Sequence, residues 1–243
     1  PPASLPTAGN RPAPTQTAAA QPTPSGEPAV AKLSEVPKGS GGAYLSSAHG
    51  EDAEAITTAA IHALGGMEQF VRSGNDVIIK PNICTDYHTY EYAATTNPFV
   101  VAALVKLCLA AGAKRVRVMD NPFGGSAESA YQRSGIADAV QAAGGEMEIM
   151  NRNKYRAFAI PAGKELQEWE FYAPILEADV VINVPIAKTH GLARLTLGGK
   201  NLLGVITRPS AMHGALGQRV ADLTSRVAPA LTVIDAVRIL TDH

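Results

Sequence analysis

Lys188, His190, Arg194 and Lys200 lie in one short stretch of this 243-residue chain and carry the chemistry it offers most openly. Lysine and arginine form charge-assisted hydrogen bonds to carboxylates and phosphates. An imidazole changes charge near neutral pH, so His190 suits general acid–base work. Thr189, Thr196 and Asn201 add neutral donors, and Gly191, Gly198 and Gly199 add permissive backbone. These residue types predict a positive, donor-rich pocket for a small carboxylate or another anion. His190 and Lys200 are the catalytic candidates. Lys80, Asn82, Lys188, Thr189, Arg194 and Asn201 are the ligand-binding ones. His213 stands on a later loop as a second acid/base or a metal ligand. Two histidines flanking a carboxylate would suit proton abstraction from the adjacent carbon. The same residues equally suit a site that only binds, and a solvated surface loop is the competing reading.

These residues must be placed by the elements before them. Val180-Val181-Ile182-Asn183-Val184 is an apolar, β-branched run and reads as a buried parallel strand. Pro185 has no N–H to donate and stops that ladder. The polar residues follow as a loop, where ligands sit in open α/β sheets. Asp76 to Lys80 reads as an earlier strand, followed by a long polar loop with Asp86 and His88 as candidates to face the site. Asn97-Pro98 opens a helix as N-cap and first-turn proline, and that helix stops at Gly112. Arg115 to Met119 is the next strand, so the pair is parallel with a right-handed crossover. Gly124, Gly125 and Ser126 could offer backbone N–H groups to an anion.

Other elements fill the layers. Glu51 to Leu64 reads as a helix closed by Gly65-Gly66, with His62 as a packing or surface residue. Ile136 to Ala143 is a helix and Glu146 to Met150 a strand. Arg156 to Ile160 and Glu168 to Tyr172 form a β-ribbon anchored by Trp169. Ala215 to Val227 is a helix, and Leu231 to Ile234 a last strand. Asp120 and Asp235 end strands, so their carboxylates can reach the same edge. The fold class is α/β: a three-layer Rossmann-like domain with a mainly parallel sheet.

Composition bounds the rest. Residues 1–30 read as a disordered proline-rich tether, because Pro1 to Pro28 holds eight of the seventeen prolines and almost no charge. Residues 31–243 suffice for a single α/β domain. A net charge of −1 gives no electrostatic case for nucleic acid. No apolar run reaches membrane-span length. Of the two cysteines, Cys108 falls in an apolar helical pattern and reads as core; no CxxC encodes a zinc or iron–sulfur site. A proline-rich stretch after a chain start at Pro1 resembles the tether of an exported bacterial protein, so an extracytoplasmic (periplasmic or cell-surface) location is expected.

The segments VIIKPNICTD (77–86), TNPFVVAALVKLCLAAGAKRVRVMD (96–120), ADVVINVPIAKTHGLARLTLGGKNLLGVI (178–206) and LTVIDAVRIL (231–240) resemble domain-of-unknown-function family 362. The likeness covers most of residues 75 to 240. Members are often exported and some carry ferredoxin-type iron–sulfur motifs, which these residues lack. The resemblance implies that the chain stops at His243 where the family continues. His190 with Gly198-Gly199-Lys200 also looks, distantly, like the nickel-pincer lactate racemase family. That likeness implies His190 as acid/base, Lys200 as a cofactor tether and His213 as a nickel ligand, although the spacing to His213 departs from that family's pattern.

Two functions follow as expectations. One is an exported accessory or binding subunit of a larger assembly, with an anion pocket and the proline-rich tail lying along a protein partner. The other is a racemase- or isomerase-like enzyme acting on a small carboxylate, with a metal ion as its possible cofactor.

Overall fold

The structure is a computed structural model that describes residues 45–242. The expected tether, residues 1–30, lies outside the described residues.

The first helix, α1 (Ala53–Ala63), begins where Asp52 Oδ1 accepts hydrogen bonds from the backbone N–H groups of Glu54 and Ala55. It satisfies two of the helix's orphan donors in this way. Strand β1 (Asp76–Pro81) follows, then α2 (Pro98–Ala110), capped by Asn97 with Pro98 in its first turn. Strand β2 (Arg115–Val118), α3 (Ala127–Arg133), α4 (Ile136–Ala142) and β3 (Glu146–Met147) complete the first half. An antiparallel ribbon of β4 (Tyr155–Ala159) and β5 (Glu168–Tyr172) leads through α5 (Ala173–Glu177) into β6 (Val180–Val184).

After Pro185 come β7 (Ile186–His190), β8 (Arg194–Thr196) and α6 (Gly198–Asn201). A 3₁₀ turn, Leu202–Val205, and the helix α7 (Leu216–Val227) precede β9 (Leu231–Thr232) and β10 (Asp235–Leu240). The five-stranded sheet runs β3-β2-β1-β6-β9, with every neighbouring pair parallel.

Strand alternation divides the core into two layers. Val77, Ile79, Val116, Val118 and Ile182 turn to one face and pack with Ile61, Val101, Leu104 and Cys108 of α1 and α2. Ile78 and Val181 turn to the other, against Phe171, Tyr172, Leu202, Val205 and Leu223. Each fully buried aliphatic side chain contributes roughly 1.5–3 kcal/mol. The three-layer Rossmann-like class expected from the strand–helix alternation is the observed one.

Three local expectations need correction. The polar segment after Pro185 is not a plain loop: Lys188, Thr189 and His190 pair antiparallel with Thr196, Leu195 and Arg194. The last strand does not end at Ile234. Proline interrupts the β6–β7 run, and the returning chain follows that break: β9 pairs with β6, Asp235 N–H donates to the Pro185 carbonyl at 2.8 Å, and β10 pairs with β7. This builds a second sheet of order β10-β7-β8. Strand β3 is shorter than expected, because past Met147 the chain leaves the ladder and Glu148 accepts an ion pair from Arg117.

Candidate functional site

Alternation places Lys80 beside Asn183 on one face of the sheet, since the β1–β6 register aligns them. Both lie at the carboxyl end, beneath α6. Lys80 is almost fully buried and uses its donors inside the protein: Asp120 Oδ1 at 2.7 Å, the Pro81 carbonyl at 3.0 Å and Asn201 Oδ1 at 3.1 Å. Asp120 also accepts the backbone N–H groups of Ile83 (2.6 Å) and Asn121 (2.8 Å).

Asn201 is the hub of this network. Its Oδ1 accepts from Asn82 Nδ2 at 2.9 Å, and its Nδ2 donates to Asn183 Oδ1 at 2.8 Å. The Asn183 amide in turn donates to the Gly198 carbonyl at 2.8 Å, which fixes the start of α6. A buried polar network is stabilising only when each member is satisfied, and these members satisfy one another.

Gly204 packs over the ion pair. A methyl group there would overlap Asp120 Oδ1 and sit 2.7 Å from Lys80 Nζ. Gly204→Ala is therefore expected to cost about 1–3 kcal/mol, read as a lower urea midpoint at unchanged slope. An unchanged midpoint would mean that the turn at Leu202–Val205 shifts freely.

From Asn82 the network continues outward. Lys188, nine-tenths buried, donates to Asn82 Oδ1 (2.9 Å), Cys84 Sγ (2.9 Å) and the Ala94 carbonyl (2.7 Å). Its three donors meet an amide oxygen, a sulfur and a carbonyl, and none of these partners is a carboxylate. The Cys84 thiol donates to Asn82 Oδ1 at 3.0 Å and is half-buried. Lys200, also half-buried, is electrostatically coupled to Cys84 and Lys188. Burial pulls its amine below the ordinary lysine value; charge at Cys84 opposes this and the charge of Lys188 adds to it. Lys200 forms no ion pair with a carboxylate among the described residues.

Thr196 stands opposite Lys188 across the β7–β8 ladder, so both side chains leave the same face of that ribbon. Its hydroxyl is buried and has no hydrogen-bond partner among the described residues. Such groups are rare and call for an explanation.

The structure thus brings together Lys80, Asn82, Lys188, Lys200 and Asn201. The other candidates hold local positions. His190 Nδ1 accepts the backbone N–H groups of Leu192 and Ala193, both at 3.1 Å, and so organises its own hairpin turn. Arg194 is exposed with φ at 61° in that turn, and Thr189 pairs with Leu195 rather than with the Lys188 face. His213 is exposed on a 3₁₀ segment, and no cluster of three metal-ligating side chains occurs among the described residues. Asp120 joins the network through Lys80, whereas Asp235 accepts from the backbone of Asn97 and Val237. His88 stacks on Tyr92 on the surface. Ser126 caps α3 through Ser129 N–H.

Cys84 was not a candidate by sequence, and Thr196 entered only as one of the neutral donors of the stretch after Pro185. A cysteine two residues past Asn82 in the strand-exit loop was the available signal for the first; that the Thr196 hydroxyl is buried without a partner among the described residues had none. A groove of about 870 Å³ lies elsewhere, between α1 and residues 229–237. Its lining includes Ile56, Ile61, Phe70 and Leu231 and no lysine or arginine. The Lys200 edge differs from it in carrying cations and the unpartnered Thr196 hydroxyl.

The chain is 28% identical over 188 residues to the thylakoid-associated protein sll1697 of Synechocystis sp.. The alignment takes in 73% of this chain and 56% of that protein, so the chain spans somewhat over half of that relative's length. The model of the family described as "Domain of unknown function (DUF362)" matches residues 77–243, which include the whole network from Lys80 to Asn201, and the chain belongs to that family.

Proposed function

We propose that the protein is a binding subunit whose Lys200 edge holds a small carboxylate. One observation carries this reading. Two buried or half-buried cations, Lys188 and Lys200, stand without a carboxylate partner among the described residues, and opposite Lys188 lies a threonine hydroxyl that no described group satisfies. Desolvated cations favour a bound anion, because Coulomb attraction grows as water is excluded. Lys188 has spent its donors, so it supplies field, and Lys200 and Thr196 supply hydrogen bonds.

Calorimetric titration with oxalate tests the reading. Lys200→Met is expected to weaken binding about tenfold or more, roughly 1.4 kcal/mol. Affinity should also fall as pH rises, beginning below the ordinary lysine value, because the folded-state amine of Lys200 loses its proton early. No heat in the wild type, or equal affinity in both proteins, would sink the site.

The subunit half of the proposal rests on Leu192, Leu195 and Ile239, exposed apolar residues on and beside the small sheet. The thylakoid association of the relative fits a docked protein, and no helix among the described residues is long and apolar enough to cross a membrane. An extracytoplasmic location belongs to the same proposal. A native mass equal to the chain's own mass, in protein drawn from its source, would remove the assembly; recovery in the cytosolic fraction would remove the location.

A further inference from the structure

We infer that Cys84 is a nucleophile that adds reversibly to the carbonyl carbon of a small 2-oxo carboxylate bound at the Lys200 edge. The inference rests on the carboxylate site above and deepens it by naming the substrate class.

Three features support it. The sulfur is held from two sides, by Lys188 Nζ at 2.9 Å and Asn82 Oδ1 at 3.0 Å, and both holders belong to the buried network. A nucleophile fixed in one geometry saves the entropy of finding it. Second, Cys84 is half-buried, whereas Cys108 is sealed in the core, so only one thiol can meet a ligand. Third, the Thr196 hydroxyl is an independent, buried donor without a partner among the described residues, on the face that Lys188 shares. A group preorganised this way can receive charge that develops during a reaction.

A 2-oxo carboxylate presents a carboxylate oxygen and the adjacent carbonyl oxygen on one side, and the Lys200 ammonium can donate to both. When the sulfur attacks, the S–C bond forms and the carbonyl π pair moves to oxygen. The sulfur gives up its thiol proton and the oxygen takes up one in its place, so the product is a thiohemiacetal with no net change in protons, and no oxidant, reductant or further reactant enters. The Thr196 hydroxyl donates to the same oxygen as its charge grows.

The test uses the full chain and glyoxylate labelled with ¹³C at its aldehyde carbon. The expected result is a protein-bound tetrahedral-carbon resonance, distinct from the free hydrate. It is lost in Cys84→Ala and in Cys84→Ser, the latter keeping an acceptor for Lys188, with melting unchanged in at least one of them. A bound trigonal-carbon resonance that disappears in Lys200→Met would mean an imine on Lys200 and overturn the role of Cys84. Oxalate binding by calorimetry without any bound glyoxylate resonance would overturn the nucleophile and leave the carboxylate site standing. Absence of both would remove the carboxylate site and the inference together.

Discussion

Lys80→Met is expected to destabilise the protein by about 3–5 kcal/mol. The pair it breaks is nearly dry: the side chains of Lys80 and Asp120 are 1% and 4% exposed, with Nζ 2.7 Å from Oδ1. Methionine fills the stem's volume but leaves the carboxylate of Asp120 buried without its counter-ion. Asn201 Oδ1 and the Pro81 carbonyl lose a donor at the same time. Removing both charges together, as Lys80→Met with Asp120→Leu, should recover a large part of the loss, because the uncompensated charge is what costs most. Urea unfolding of the three variants measures this. A loss below about 1 kcal/mol for Lys80→Met would show that the backbone donors of Ile83 and Asn121 satisfy Asp120 without help.

Acid will weaken the β3 edge of the sheet, where Glu148 follows the strand. Burial works against the charged form of Glu148, but hydrogen bonds from Tyr172 (2.6 Å), Lys154 (2.9 Å) and Arg117 (2.7 Å) outweigh it and hold the carboxyl at about 2. The folded value is lower than the unfolded one, so the group binds fewer protons when folded. Its contribution is fully present above the unfolded value of 4.5 and disappears as pH falls through about 2. A depression of this size corresponds to about 3 kcal/mol. The Asp76 carboxyl, lowered as hydrogen bonds from Arg115 and Arg117 overcome its burial, adds to the same slope. Unfolding free energies taken between pH 6 and pH 2.5 should therefore drop steeply in the wild type and less in Glu148→Gln. Parallel curves for the two proteins would remove Glu148 as the origin.

The proposed carboxylate site and the stability network share residues, and this constrains how the protein can change. Asn82 bonds both the hub Asn201 and the outer Lys188, so the inner ion pair and the outer cations form one rigid chain of contacts. Under the proposed function, a ligand at the Lys200 edge would meet side chains that this network already holds. Preformed donors lose little freedom on binding.

Much of this architecture was legible from residue pattern. The apolar run Val180 to Val184, the capped helix from Asn97-Pro98, and the alternation of Asp76 to Lys80 are local signals, and each is dictated by near neighbours in the chain. The ribbon of residues 155–172 was legible for the same reason. The boundary errors fall where long-range pairing decides: residues 231–240 change sheets because Pro185 breaks the neighbouring strand, and nothing inside 231–240 announces it.

For the site, sequence supplied residue types and an edge. It named Lys80, Asn82, Lys188, Lys200 and Asn201, because strands that empty into lysines and asparagines mark a carboxyl edge. It could not divide them into roles. That Lys80 is sealed against Asp120, that His190 folds back on its own turn, and that Arg194 points to water depend on strand register and hairpin geometry. The sequence by itself determined a parallel α/β sheet with cations at one edge, since period and composition are local properties. Only the tertiary structure decided that Cys84, some hundred residues before Lys188, lies against its amine, and that the Thr196 hydroxyl opposite Lys188 is buried without a partner among the described residues. Contacts between distant residues arise from how layers pack, and packing is a property of the whole chain.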